Sequence, residues 1–358
     1  MSSSLRFALF SAAVLGSVVG AAGLDQPWQQ PYAGDEATGE SVVALWTFAG
    51  PEPGRDASGK GHDLTLRGRS RYVEEGGFGG VLETFPTDPE NMAKDAQGAV
   101  ATRKPELSPE GAFTLEVRFQ PKADFADFAR HFLLDNKYYS YTSDHPRANA
   151  GYMLYLQRTR DHHFQPVAYL GYGSDSEFYH GDSVELAAGE WVHLAFAYDG
   201  EGTGCFYVNG ILRGTAVNAE RKAIAPALHN LAVGDRHGSN YVGSSLLIDQ
   251  VRILNRAAVF SSGQMLVDAR FTGGRTVFVR CEPEMAATVR VVNETGKPFA
   301  DPVLTVDMAG RTQTFPVPAA ETREPVEISF PLDTTLRPGE YTLDIRLDCL
   351  VEGEKLTT

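Results

Sequence analysis

Aromatic residues interleaved with polar ones mark where this chain has the means for chemistry. The run Asp135–His145 carries Tyr138, Tyr139 and Tyr141 among Asn, Lys, Ser and Asp, and Tyr169–Asp182 adds Tyr172, Phe178, Tyr179 and His180. Between them lie Tyr152, Tyr155, Arg158 and Arg160. Sugars offer C–H faces that pack on aromatic rings, and hydroxyls that pair with Asp, Asn, Arg and His. In Gly- and Ser-rich loops this mixture reads as a glycan platform. Tyrosine also favours strands, so part of the set would only edge a sheet. A second candidate is the Gly-rich loop Asp56–Asp63, whose Asp56 and Asp63 offer the hard oxygens calcium requires. Alternatively, Asp56 only caps a turn.

Catalytic motifs are missing from the sequence. There is no H-E-x-x-H, G-x-S-x-G, P-loop or C-x-x-C pattern. Adjacent His162 and His163 would point to opposite sides of a strand and make a poor metal pair. Glu177, Asp182 and Glu185 fall in a loop, and Glu83, Asp88, Glu90 and Asp95 accompany a Pro-rich insertion. None forms the alternating carboxylate set that a glycosidase strand would carry.

Charge and export narrow the function class. Over 358 residues, 32 Lys and Arg face 46 Asp and Glu, a formal charge of −14, which argues against a nucleic-acid partner. Arg6 precedes an apolar, small-residue run from Phe7 to Gly23, so residues 1–23 read as a signal peptide. The mature protein is expected to be secreted, periplasmic or on the cell surface, with no membrane insertion after signal removal. Strand parity places Cys281 and Cys349 on inward faces of C-terminal strands. A buried bridge and two reduced thiols are both compatible with that placement. Cys205 is left over. Asn293–Thr295 forms a glycosylation sequon, near chance in a chain this long.

The elements that must position these residues are strands. Phe113, Leu115, Val117 and Phe119 alternate with Thr114, Glu116 and Arg118, which predicts a half-buried strand. Similar short runs recur between Gly, Pro, Asp and Asn, and no long amphipathic helix appears, so the chain reads as all-β. Trp46 and Trp191 read as core residues, and Asn209–Gly210 as a hairpin turn. Residues 24–40 read as a linker and 41–264 as a first domain. A short helix is expected within Phe260–Phe271, a joint over 265–275 and a second β block over 276–358. In that block Glu294–Lys297 and Asp307–Arg311 read as hairpin turns, and the final residues as a turn opening another strand.

From about Ser41 to Gln264 the chain resembles a secreted bacterial laminin-G-like, concanavalin A-like lectin/glucanase domain. The resemblance is carried by LWTF, DASGKGHDLTL, FTLEVRF, AGEWVHLAFAYDGEGTGCFYVNG and VGDRHGS…LLIDQVRILNRA, in that order. It implies a jelly-roll sandwich binding ligands at one rim or on the concave sheet. The following block resembles a smaller immunoglobulin-like β-sandwich. Relatives with a structural calcium imply Asp56 and Asp249 as its ligands here; Asp249 would otherwise pair with an arginine such as Arg252. The resemblance favours non-catalytic glycan recognition, alone or as the targeting module of a larger polysaccharide-active or surface protein. A structural or adhesive module contacting a protein or cell-wall surface is the alternative, and a hydrolase or lyase the third reading.

Overall fold

The computed structural model describes residues 8–9, 24–74, 76–138, 149–237, 240–274, 277–318, 323–337, 339 and 341–357. It divides into two compact units, residues 27–260 and residues 261–358 with the preceding N-terminal segment.

Two antiparallel eight-stranded sheets form the first unit, counted over the described residues. The front sheet runs Ser176–His180, His163–Tyr172, Ala150–Arg160, Arg130–Asp135, Leu231–Val233, Ala99–Ala101 and Leu64–Leu66, with Val184–Glu185 beside His163–Tyr172. The back sheet runs Ile211–Val217, Thr203–Val208, Val192–Tyr198, Phe113–Pro121, Leu246–Leu254, Val81–Glu83 and Arg71–Val73. Val42–Trp46 also pairs with Leu246–Leu254. Period-two alternation decides the facing. Phe113, Leu115, Val117 and Phe119 meet Tyr152, Leu154, Leu156, Ala168 and Leu170 in one buried core. Trp46 is fully buried there and donates its indole N–H to the His62 carbonyl at 2.8 Å. Asn209 and Gly210, both at positive φ, close the two-residue hairpin between Val208 and Ile211.

The expected half-buried strand is in fact buried on both sides at Thr114 and Glu116. Residues 27–40, read above as a linker, belong to this unit and supply the cover. Tyr32 and Ala37 join Leu45, Ala195, Ala197, Tyr207 and Leu254 in a second apolar cluster on the back sheet's outer face. Trp191 also departs from expectation. Its ring is half-buried outside the core, against the Arg118 guanidinium at 4.3 Å, because it shares the outward parity of His193.

The second unit packs the three-stranded sheet Gln264–Phe271, Ala286–Glu294, Pro325–Pro331 with a four-stranded one. The latter runs Arg311–Pro316, Phe299–Met308, Leu343–Val351 and Glu354–Thr357. Ala287, Val289, Val291, Leu304, Val306, Phe330 and Leu347 form its core. The helix expected within Phe260–Phe271 is instead the strand Gln264–Phe271. Met265, Val267, Ala269 and Phe271 contact the core at period two, which only a strand permits. Ala309–Gly310 makes the expected hairpin, and Glu352–Gly353 opens the final strand. Glu294–Lys297 does not make a hairpin: it carries the chain from one sheet to the other.

The cysteines are free thiols. Cys281 is exposed at a left-handed turn position, φ 63°, beyond the end of its strand, so strand parity does not reach it. Cys349 is buried in Leu343–Val351 as expected. Asn293 is buried too, its amide donating to the Lys297 carbonyl and its oxygen accepting from Thr295. It organises the turn that the sequon spans.

Candidate functional site

The outward face of the front sheet gathers the exposed aromatic chemistry. Tyr169 and Phe178 are direct antiparallel partners on the last two strands. Their sequence neighbours Ala168, Leu170 and Tyr179 point into the core, so both rings point outward. The rings stack almost parallel, 3.8 Å between centres at 5°. Phe178, on the edge strand, keeps 39% of its surface in water, and the His180 ring lies 6.0 Å away on the same face.

Register carries the row inward. Tyr169 pairs with Met153, and Met153 with Asp135, so Phe178, Tyr169, Met153 and Asp135 cross four strands in line. The Lys137 ammonium sits 3.6 Å from the Tyr169 ring centre. Phe178 fills one face of that ring at 3.8 Å, so the ammonium takes the other. Lys137 and Asp135 are both buried. Burial lowers the Lys137 amine to about 8 despite the opposing carboxylate, and pushes Asp135 well above the usual carboxylate range. Asp135 accepts the backbone N–H groups of Lys137 and His237. Beside this row Tyr138 stacks on His229 at 5.5 Å, and His229 on His237 at 5.4 Å. Burial first, then Arg67 and His229, lowers His237 to about 4, which keeps its ring neutral near pH 7.

The tyrosines named from sequence divide by parity. Phe178 and His180 lie with this face, whereas Tyr138 follows outward Lys137 and is stacked on His229 instead. Tyr172 and Tyr179 instead turn inward, where their hydroxyls meet at 2.9 Å. Tyr172 also donates to the Tyr198 hydroxyl, and Tyr198 to the Lys222 carbonyl. They close one end of the core, under Arg221 at 4.9 Å from the Tyr172 ring centre. Arg221 is held there by Asp175 and Glu177. Arg158 donates to the Ala126 carbonyl and so braces a loop. Tyr152 is a core residue, and Tyr155 packs on Phe132 in the adjoining row of the same outward face. Tyr139 and Tyr141 fall outside the described residues. Tyr169 and Lys137, central here, were not singled out from sequence. Their signal was a register, since a turn between Tyr172 and Asp175 makes Tyr169 the partner of Phe178.

The two aspartates sit in separate networks. Asp56 is buried and accepts the backbone N–H groups of Leu45, Ser58 and His62 at 3.0–3.1 and 2.9 Å, so it organises the loop. Asp249 pairs with Arg118, where Arg252 had been named, and accepts the Phe78 N–H. Arg252 is engaged by Glu116 and Glu36. Among the described residues no three His, Cys, Asp or Glu side chains cluster as metal ligands.

Residues 94–259, which span both sheets and this platform, match the family described as the concanavalin A-like lectin/glucanases superfamily. That segment is a concanavalin A-like domain. Among solved structures the chain is similar to domain 4 of AbnA, an extracellular GH43 arabinanase from Geobacillus stearothermophilus, in complex with arabinotriose. The TM-score is 0.43 at 17% identity, covering 62% of this chain and 96% of that one. It is also similar to a botulinum neurotoxin type C structure, from work tying cell entry to two ganglioside molecules (TM-score 0.44, 10% identity, 88% and 86% covered). The binding domain of botulinum neurotoxin DC in complex with SialylT gives 0.44 at 10% identity, covering 87% and 85%. No curated protein matches. Within the concanavalin A-like domain no described helix is long and apolar enough to cross a membrane.

Proposed function

We propose that this is an exported, non-catalytic carbohydrate-binding protein, or the targeting module of a larger one, that uses the outward face of its front sheet. One observation carries the reading: Phe178 lies flat on Tyr169 at a sheet edge with 39% of its surface in water. Such a ring offers a stiff apolar plane to a sugar's C–H face, with His180 supplying a polar edge. The buried Lys137 on the far side of Tyr169 fixes the stack rather than meeting the ligand. Export rests on residues 1–23.

Immobilised-polysaccharide retention and a glycan array with the full chain test this. Stacking is worth roughly 0.5–1.5 kcal/mol beyond burial, so Phe178→Ala should weaken binding by about three- to tenfold or more. Equal retention of wild type and Phe178→Ala on every retained polymer, or no retention on any, would refute the platform.

A further inference from the structure

The back sheet's outer face, beyond the N-terminal cover, holds a second polar arrangement that the platform leaves unused. Arg118, outward on Phe113–Pro121, has its guanidinium carbon 3.9 Å from the Phe78 ring centre and 4.3 Å from that of Trp191. Both rings pack against the planar group. Among the described residues only one of its nitrogens is used, by an ion pair to Asp249 Oδ2, and its other donors have no hydrogen-bond partner; 14% of the side chain reaches solvent. Asp249 is fully buried; its Oδ2 also accepts the Phe78 N–H, while Oδ1 has no partner among the described residues. Most buried carboxylate oxygens are paired, so this one needs a donor. Gly77 lies against the same carboxyl, where a Cβ would fall 2.5 Å from Oδ2. Four glycines around Phe78, at 76, 77, 79 and 80, place no side chain over the site.

We propose that Arg118 and Asp249 form a receptor for a hydroxycarboxylate, the pairing found on a uronic acid. The ligand carboxylate accepts from the free edge of Arg118, in the bidentate geometry that a guanidinium favours. A neighbouring hydroxyl donates to the buried Asp249 Oδ1 once the glycine-flanked Phe78 shifts aside, satisfying the unpaired oxygen. Phe78 and Trp191 pack against the ligand as they pack against the arginine. The small anion is matched locally by the guanidinium despite the chain's acidic charge, because surface fields are screened over about 8 Å at physiological ionic strength. The sugar identity rests on the glycan reading above; the carboxylate receptor does not.

Titrating the full chain with an oligogalacturonate, its carboxyl-reduced counterpart and a sulfated neutral oligosaccharide separates the possibilities. Binding of the oligogalacturonate, loss on carboxyl reduction, and weakening by roughly tenfold or more in Arg118→Lys are expected, since lysine keeps the charge beside Asp249 but not the planar fork. Trp191→Leu should weaken it as well and leaves the ion pair intact, so a folding defect in one variant does not decide the result. Neutral-polymer retention, with its Phe178 dependence, should be unchanged in both variants. Absence of oligogalacturonate binding overturns the proposal. So do unchanged binding in both variants, and equal Arg118-dependent binding of the sulfated ligand. Loss of neutral-polymer retention alone refutes the platform and leaves the receptor standing.

Discussion

Removing Glu116 should loosen the N-terminal cover of the concanavalin A-like domain and cost several kcal/mol. Its carboxylate is fully buried and accepts from the Tyr32 hydroxyl at 2.5 Å and Arg252 Nε at 2.8 Å, with His193 Nε2 at 3.2 Å. Arg252 also lies 3.6 Å from the Tyr32 ring centre and reaches Glu36, while Trp28 stacks on His193 at 5.0 Å. Every member except Glu36 and Trp28 is buried. In Glu116→Ala, Arg252 keeps only the half-exposed Glu36 as a counter-charge. His193, whose Nδ1 has no partner among the described residues, loses its Nε2 contact as well. Breaking a buried pair from one side costs about 3–5 kcal/mol, because the remaining charge stays desolvated. The double variant Glu116→Leu with Arg252→Met removes both charges and should recover most of that loss. All three Trp residues, at 28, 46 and 191, lie in this unit, so tryptophan fluorescence during urea unfolding follows it without the second unit. Acidification gives an independent check. Burial alone would raise the Glu116 carboxyl, but Arg252 and His193 hold it below its ordinary value. The linked stability is therefore complete above the unfolded value of about 4.3 and disappears as pH falls through the lower folded value. Wild type should lose more stability than Glu116→Gln in that acidic window. A loss under about 1 kcal/mol in Glu116→Ala, or an equal loss in the double variant, would refute the reasoning.

Other outcomes follow from single contacts. Asp56→Ala leaves three backbone donors without an acceptor and should cost roughly 2–4 kcal/mol, equally in calcium and in chelator; a calcium-dependent difference would assign Asp56 to a metal. Cys281 should react with a neutral-pH alkylating reagent in the folded chain, whereas Cys349, buried and with its thiol pushed up by that burial, should react only on unfolding. Recovery of a Cys281–Cys349 bridged peptide by non-reducing mass spectrometry would contradict the arrangement. Asn293→Gln should destabilise the second unit, since it removes the Asn293–Thr295–Lys297 turn contacts, and thermal unfolding of that unit would show a lower midpoint.

Strand parity was the legible part of this fold. It assigned Phe113, Leu115, Val117 and Phe119 to the core, and it placed Asn209–Gly210 at a hairpin, because both are local consequences of backbone geometry. Parity also governs Phe178 and Tyr179, yet the sequence alone treated them alike. Separating them requires knowing where the strand begins, which a turn three residues earlier decides. The Asp249 partner, named as an arginine such as Arg252, differs for a related reason. Arg252 and Asp249 lie on the same strand, but an irregularity between Ile248 and Val251 re-aims the carboxylate across to Phe113–Pro121. Such a bulge carries no residue-type signature.

Outward and exposed are different properties, and their separation locates the candidate sites. Glu116 and Phe178 both point away from the core by the same period-two rule. The polar one is buried because Tyr32 and Ala37 cross above it, and every charge there is met by a partner. The apolar one remains in water on an edge strand. Burying a Phe fully is worth about 1.5–3 kcal/mol, so the 39% of Phe178 left in water forgoes roughly 0.6–1.2 kcal/mol. Arg118 shows the complementary imbalance, a half-used guanidinium beside a buried oxygen with no donor among the described residues. A single exposed aromatic is ordinary on a protein surface, so exposure alone would not single out Phe178. What distinguishes it is order: the ring is held parallel to Tyr169, which is pinned in turn by a buried ammonium. Fixing a water-facing ring in one orientation has no benefit to the core it does not touch. It does lower the entropy lost when a flat ligand lands on it, which is the physical ground for assigning this face to recognition.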